Sequence, residues 1–365
     1  MPHQTPDTAG ICDLARPEGA AALRRGWARL GEAAVLPTQD ASYAIALTQT
    51  MLAGTAVVLW QAGFGADGAG ALLPLCRTQG MLQRWNIPGA REVAEPFDAL
   101  CRDSAAALSL ARALAVQRRP IDLARIPADS PLIPALQQAM RRHGLIRVRP
   151  AAPCPYIALD PAWAEPASRF KSSRQSDFRR AARRAAEFGK LSYEMLSPTP
   201  SQFDALFDEA IAIERMGWKE AAGTAIALDP AKTAFFRSYL SAAAERGMLR
   251  IAFLRIDGQA VAMQLAVEWA GRYWLYKIGY NEAYARCSPG TLLMLFALGE
   301  AARGGLTSFE LMGDVEPWIA DFWTSASRPC VRVRTYPANW RGAAAFVQDG
   351  IGWLTARAGG KGAAG

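Results

Sequence analysis

A chain of 365 residues is longer than one typical domain, so two domains are the first expectation. Hydrophobic residues make up 51% and charged residues 20%, which excludes a disordered chain and provides for a substantial core. The formal net charge of +8 favours anionic partners, whether phosphate groups of a small molecule, a lipid surface or nucleic acid.

The N-terminal stretch MPHQTPDTAGICDLARPEGA lacks the basic-then-apolar order of a signal peptide. Six cysteines (Cys12, Cys76, Cys101, Cys154, Cys287, Cys330) are scattered without a CxxC pair, and His3 and His143 are the only histidines. No metal site and no Cys-His nucleophile is therefore expected, and dispersed thiols suit a reducing, cytoplasmic setting. Residues 41–66 carry no charge, but Thr48, Gln49, Thr50, Gly54, Gln61 and Gly63 interrupt the apolar run. A spanning helix needs about 20 predominantly apolar residues, so this stretch reads as a buried helix followed by a strand.

Residues 150–166 are rich in Pro and Ala, a composition that breaks helices and suits a connector or edge strand, so the chain divides near 160–170. Next comes SRFKSSRQSDFRRAARRAAEFGK. Ser173 can cap a helix in which Phe178, Ala181, Ala182, Ala185 and Phe188 recur at helical spacing, and Gly189 stops it. Arg174, Arg179, Arg180, Arg183 and Arg184 make this helix, residues 173–190, strongly cationic. It is either a solvated face or a surface for an anionic membrane or charged substrate. Nucleic acid is the least supported partner, because no groove-reading motif accompanies the charge.

From residue 191 the pattern is regular. Leu191–Leu196 reads as a strand and Thr199–Met216 as an amphipathic helix with Phe203, Leu206, Phe207, Ala210, Ile211 and Ile213 on its apolar side. Asp229-Pro230 opens a helix to Gly247. Three strands follow, Met248–Ile256, Ala260–Trp269 and Tyr273–Tyr280, turning at Asp257-Gly258 and Ala270-Gly271. Ser288–Arg303 is helical, Ser308–Met312 a strand, Glu316–Trp323 a short helix, and Cys330–Tyr336 the closing strand.

That order, β-α-α-β-β-β-α-β-α-β, resembles the GNAT superfamily of N-acetyltransferases, and most closely its cellulose-biosynthesis-type branch, itself related to Fem-type peptidyltransferases. The matching residues are I-E-R-M-G-W-K at Ile213–Lys219, G-T-A at Gly223–Ala225, Y-K-I-G-Y-N-E at Tyr276–Glu282 and S-P-G-T-L-L at Ser288–Leu293. The likeness runs from about Phe170 to Tyr336. It implies an α/β (α+β) fold of tandem GNAT-like domains, each a mixed, mostly antiparallel sheet flanked by helices. The expected division is an extension 1–30, a degenerate GNAT-like domain 31–160, an acyltransferase domain 161–345 and a flexible tail 346–365.

Ser288-Pro289-Gly290-Thr291 lies between a strand and an apolar helix. Proline sets φ at a first helical position, and glycine lets a ligand approach the backbone. Such a start, with Arg286 just before it, is a ready pyrophosphate site, which the resemblance assigns to CoA. The loop departs from the superfamily's usual Q/R-x-x-G-x-G/A pattern. Acyl transfer to an amine then needs a base and a proton for the thiolate. Burial can raise a carboxylate toward neutral pH, and the carboxylates available are Glu214, Glu268, Glu282 and Asp314. Glu214 is favoured, beside Gly217, Trp218 and Lys219 in the helix that lines the acceptor site of GNAT folds. Tyr280 and Tyr284 are the candidate acids. Lys277, alone in an aromatic strand, either binds a ligand anion or pairs structurally, and Asp314 follows Gly313 where such folds open to the acceptor.

The implied activity is N-acyl transfer from acyl-CoA, a cosubstrate and not a resident cofactor, to a primary amine. Lipid amines (a sphingoid base, as in bacterial ceramide synthesis) and amino sugars of an envelope polysaccharide precursor both fit, with the protein cytoplasmic or peripheral at the inner membrane. The alternatives are a Fem-type transferase using aminoacyl-tRNA, although no long helical arm is evident, and a non-catalytic GNAT scaffold.

Overall fold

The computed structural model describes residues 9–93, 95–217, 229–313, 315 and 317–358. The chain divides into two units: residues 1–154, 313–315 and 327–365 form unit 1, and residues 155–312 and 316–326 form unit 2.

Unit 1 contains β1 (Gly10–Asp13), α1 (Pro17–Leu30), α2 (Ala41–Gln49), β2 (Val57–Ala62), β3 (Ala71–Arg77), β4 (Trp85–Asn86), β5 (Leu100–Cys101), α3 (Ser104–Val116), β6 (Ile121–Pro127), α4 (Leu132–Met140), most of β7 (Gly144–Ala158), β13 (Ser327–Pro337) and α10 (Trp340–Ala358). Its strands run in the order β1-β2-β3-β4-β6-β13-β7, with β5 beside β3. The uncharged stretch at 41–66 folds as α2 and β2. Asp40 caps α2 by accepting from the Ser42 amide at 2.8 Å, and Val57, Leu59 and Trp60 are buried. Leu110, Leu114, Leu123, Ile126 and Leu136 meet over this sheet in one core.

Two elements differ from the sequence reading. The sequence order groups Cys330–Tyr336 with the second half, but β13 pairs with β6 in unit 1, Val333 against Leu123 and Thr335 against Ile121, and Val333 belongs to the unit 1 core. Alternating burial marks a strand without naming the sheet it joins. Residues 346–358, expected in a flexible tail, are helical in α10. The buried Ala345, and Asp349 held by the Tyr336 hydroxyl at 2.8 Å, anchor that helix.

Unit 2 contains the last residues of β7, then α5 (Ser172–Ala186), β8 (Leu191–Leu196), α6 (Pro200–Arg215), α7 (Pro230–Glu245), β9 (Leu249–Ile256), β10 (Gln259–Trp269), β11 (Arg272–Tyr280), α8 (Pro289–Arg303), β12 (Ser308–Glu310) and α9 (Pro317–Ala320). The order is β7-β12-β11-β10-β9-β8, antiparallel except where β11 and β12 run parallel. Strands β9 to β11 form within a residue of their expected limits because Asp257-Gly258 and Ala270-Gly271 supply positive φ at both turns. The expected helix at 316–323 is shorter, Pro317–Ala320. α8 covers one face of this sheet, where Met294, Ala297 and Leu298 pack with Tyr273, Leu275 and Phe309. α5 joins it through Ala181 and Ala185. α6 packs on β9 to β11 and α7 on α6 and β9, carrying the buried Phe203, Phe207, Phe235, Phe236 and Tyr239.

Candidate active site

The site begins with a mismatch in strand length. β11 and β12 pair for three residues, Arg272 with Ser308 through Trp274 with Glu310, and β12 then ends. β11 continues to Tyr280, so 275–280 has no strand on that side among the described residues. On its other side the register with β10 shifts between Leu265 and Ala266, skipping Tyr276, a bulge that re-aims the strand. Beyond the bulge the side chains alternate. Ile278 and Tyr280 face the start of α8, within 4.0 Å and 3.4 Å of a β-carbon placed on Gly290. Gly279 lies against Glu214 of α6, and Lys277 Nζ lies 5.3 Å from the Phe236 ring of α7.

On the α8 side, Ser288 takes the left-handed conformation (φ 49°) and Pro289 starts the helix. The Thr291 amide donates to the Ser288 carbonyl at 3.0 Å. A helix N-terminus favours negative charge through its dipole and its free N–H groups. Arg286 pairs with Glu187 at 3.3 Å and stacks over Phe188, 4.4 Å from its ring centroid. Arg184 donates to the Arg286 carbonyl at 3.4 Å, and the Phe188 and Tyr284 rings lie 5.0 Å apart. The cationic helix α5 therefore ends at the loop that opens α8.

On the α6 side, Glu214 is 1% exposed. The Gly217 amide donates to the Glu214 carbonyl at 3.2 Å, and the Glu282 amide to the Met216 carbonyl at 3.1 Å. A β-carbon on Gly217 would meet the Tyr280 carbonyl at 2.9 Å, so the end of α6 is seated on the end of β11. Burial pushes the Tyr280 hydroxyl above its ordinary range, as do the Glu282 charge and the hydrogen bond to it. The phenol stays protonated, able to donate.

Glu214, Tyr280, Ser288, Gly290 and Thr291 thus cluster around the free end of β11, with Arg286 at the rim. Lys277 is on the α6/α7 face, away from the α8 N-terminus. Glu268 is a structural partner, paired with Arg250 at 2.6 Å. Trp218, Lys219 and Asp314 lie outside the described residues, as does the G-T-A segment. Three residues were missed by sequence reasoning. Glu310, 1% exposed, ends β12 where it parts from β11 and accepts from Ser308 Oγ at 2.6 Å. Gln264 is fully buried, its Nε2 3.6 Å from Met294 Sδ and its Oε1 without a hydrogen-bond partner among the described residues. A lone amide or carboxylate in an apolar strand was the available signal for both. In the sequence Arg184 is one member of a charge run.

Among the described residues no group of three or more His, Cys, Asp or Glu could hold a metal. A cavity of about 1310 Å³ is lined by unit 1 residues, including Arg84, Asp122, Arg334 and Asp349, and by none of the residues above.

Residues 172–318, which include β11 and the start of α8, match the acetyltransferase (GNAT) domain. That segment carries a GNAT-type fold. Three solved structures share it along most of their length. The C-terminal domain of a putative lysylphosphatidylglycerol synthetase from Agrobacterium fabrum is 14% identical, over 91% of this chain and 96% of that one, with a TM-score of 0.55. L-PGS from Bacillus licheniformis is 12% identical over 89% and 92%, TM-score 0.53. FemX is 11% identical over 82% and 91%, TM-score 0.51. At these identities the likeness is one of fold, GNAT-type and Fem-like. No curated protein matches the chain by sequence. No helix among the described residues is long and apolar enough to cross a membrane.

Proposed function

We propose that the protein transfers an acyl group from acyl-CoA to a primary amine at the open end of β11. The observation that carries this reading is the convergence of the α8 N-terminus, Arg184 and Arg286 on one side of that strand with Glu214 on the other. The CoA pyrophosphate sits at Ser288–Thr291, and Arg184 and Arg286 supply the cations. The contact between α5 and this loop favours donor phosphates over a membrane surface as the anion that the 173–190 helix serves.

In the reaction, the Glu214 carboxylate takes a proton from the acceptor ammonium, and the amine nitrogen attacks the thioester carbonyl carbon. The tetrahedral intermediate collapses with loss of the C–S bond and Tyr280 gives its proton to the departing thiolate; the second proton of the attacking nitrogen returns to the Tyr280 phenolate as the neutral amide forms, and the Glu214 proton passes to solvent. Lys277 and the end of α6 receive the acceptor.

The test is calorimetric titration with acyl-CoA, followed by mass spectrometry of products formed with a long-chain amine. Saturable CoA binding and an amide product support the reading. Transfer only from an aminoacyl-tRNA, or no CoA binding, would replace it with the Fem-type or scaffold alternative.

A further inference from the structure

Helix α10 turns an apolar stripe outward and is anchored on its inner side by a single carboxylate. At 100° per residue, Trp340, Ala344, Val347, Ile351 and Leu354 fall within about 40° of one line along the helix. All five are exposed. On the opposite side Gly342 and Ala345 are buried, and Asp349 is held by Arg84 at 3.1 Å and by Tyr336. Asp349 is the only acid in the helix, so α10 presents no carboxylate outward.

Cations gather at the Trp340 end. Arg341 donates to the Met81 carbonyl at 3.3 Å and Arg118 to the Ala338 carbonyl at 3.4 Å. Arg119 lies close enough to Arg77 and Arg341 to feel both charges. None of these four arginines has a carboxylate partner among the described residues. Met81, itself exposed, adds to the apolar surface.

We infer that this face of unit 1, built from α10, Met81 and the Arg77, Arg118, Arg119 and Arg341 cluster, docks on an anionic lipid bilayer surface. A helix with an apolar stripe, a tryptophan and arginines at one end has the composition of an interfacial helix lying in the headgroup plane. Charge complementarity selects the occupant. Pairing the same patch of two copies would bring two arginine clusters together, whereas anionic headgroups neutralise them. This surface is independent of the acyl-transfer reading and of α5.

The test is co-sedimentation of the full chain at low salt with vesicles of equal parts phosphatidylglycerol and phosphatidylcholine. Wild type binds. Val347→Gln/Ile351→Gln/Leu354→Gln, which keeps helix propensity and alters only exposed positions, loses about tenfold or more in partitioning. Arg118→Gln/Arg341→Gln binds more weakly and with a flatter salt dependence. Wild-type indifference to these vesicles overturns the inference, as does normal binding by the triple variant. So does a wild-type dimer that the triple variant converts to monomer, which assigns the face to a second copy. Loss on neutralising Arg179, Arg180, Arg183 and Arg184, with the α10 variants unaffected, moves docking to α5. Quenching by brominated lipid, compared between wild type and Trp340→Phe, probes the same contact without the triple variant. Equal quenching in the two overturns it as well.

Discussion

Glu214 Cα sits so close to Gly279 that a β-carbon on the glycine would meet it at 3.1 Å, and Glu214 Cβ at 3.4 Å. The strand and the helix end are seated together because residue 279 has no side chain. Gly279→Ala should therefore push the end of α6 outward, costing about 1–3 kcal/mol of stability. The proposed base moves with it, so kcat should fall further than the loss of folded protein explains. Gly350→Ala, where a β-carbon meets nothing within 4 Å, is the control. A Gly279→Ala enzyme with normal kcat would detach Glu214 from the chemistry.

The donor loop yields a cleaner test. A β-carbon on Gly290 makes only ordinary contact with Tyr280, so Gly290→Ala should fold and bind acyl-CoA much as wild type does. Gly290→Asp adds a negative charge at the proposed pyrophosphate position, and binding should be lost while the melting curve is kept. Calorimetry with CoA reads both variants. Equal affinity in the two would remove the donor from this helix start.

Arg184 and Arg286 make the matching prediction with opposite sign. Replacing both with Gln should weaken CoA binding roughly tenfold or more and flatten its salt dependence, since charge-assisted contacts to phosphate are lost. Desulfo-CoA, which keeps the phosphates, should show the same loss. If the double variant binds CoA normally, Arg286 serves only its pair with Glu187.

Much of unit 2 was legible in the sequence because its signals are local. Asp257-Gly258 and Ala270-Gly271 fix two hairpins, Pro289 fixes a helix start, and period-3.6 burial fixes α6. What escaped depends on contacts between distant residues. Nothing in Cys330–Tyr336 says that its partner is Ile121–Pro127, and nothing in the arginine run says that Arg184 ends at the carbonyl of Arg286. Glu310 escapes because the sequence places it inside a strand reaching Met312, and only the structure shows that β12 stops at Glu310 while β11 runs on. The C-terminal stretch looked like a tail because its final residues, GGKGAAG, are those of a linker, although the preceding turns carry Ala345 and Asp349 into unit 1.

Asp98 in unit 1 supplies a pH prediction. Burial raises its carboxyl from 3.8 to about 7, although the Ser130 hydroxyl and the Ala99 amide both donate to it, at 2.7 Å and 2.8 Å. The folded value lies above the unfolded one, so its contribution is full below pH 3.8 and is lost as pH rises through about 7. Asp98→Asn keeps the shape without the charge. Wild type should match or exceed the variant near pH 5 and fall below it near pH 8, the difference shifting by a few kcal/mol. Urea midpoints at the two values measure it, and a pH-independent difference would mean that Asp98 is ionised throughout.

The last prediction concerns the acceptor amine and separates Glu214 from its rivals. An alkylammonium is protonated at neutral pH and only its free base attacks, so a positioned base should contribute about 10²–10⁴-fold to kcat. Glu214→Gln keeps the shape and hydrogen-bonding reach of the side chain and removes its basicity. A large fall in kcat near neutral pH is expected, with acyl-CoA affinity unchanged because the donor loop lies across β11. Activity should partly recover as pH rises and free amine accumulates, a signature that loss of packing would not give. Glu282→Gln should instead act through Tyr280: without the carboxylate that accepts its hydroxyl, the phenol titrates lower, and the alkaline limb of the profile moves down. Glu310→Gln is the decisive comparison, since Glu310 is as buried as Glu214 and also stands where β11 opens. If it reproduces the neutral-pH defect and alkaline recovery while Glu214→Gln does not, the base is on β12 and the acceptor enters between β11 and β12.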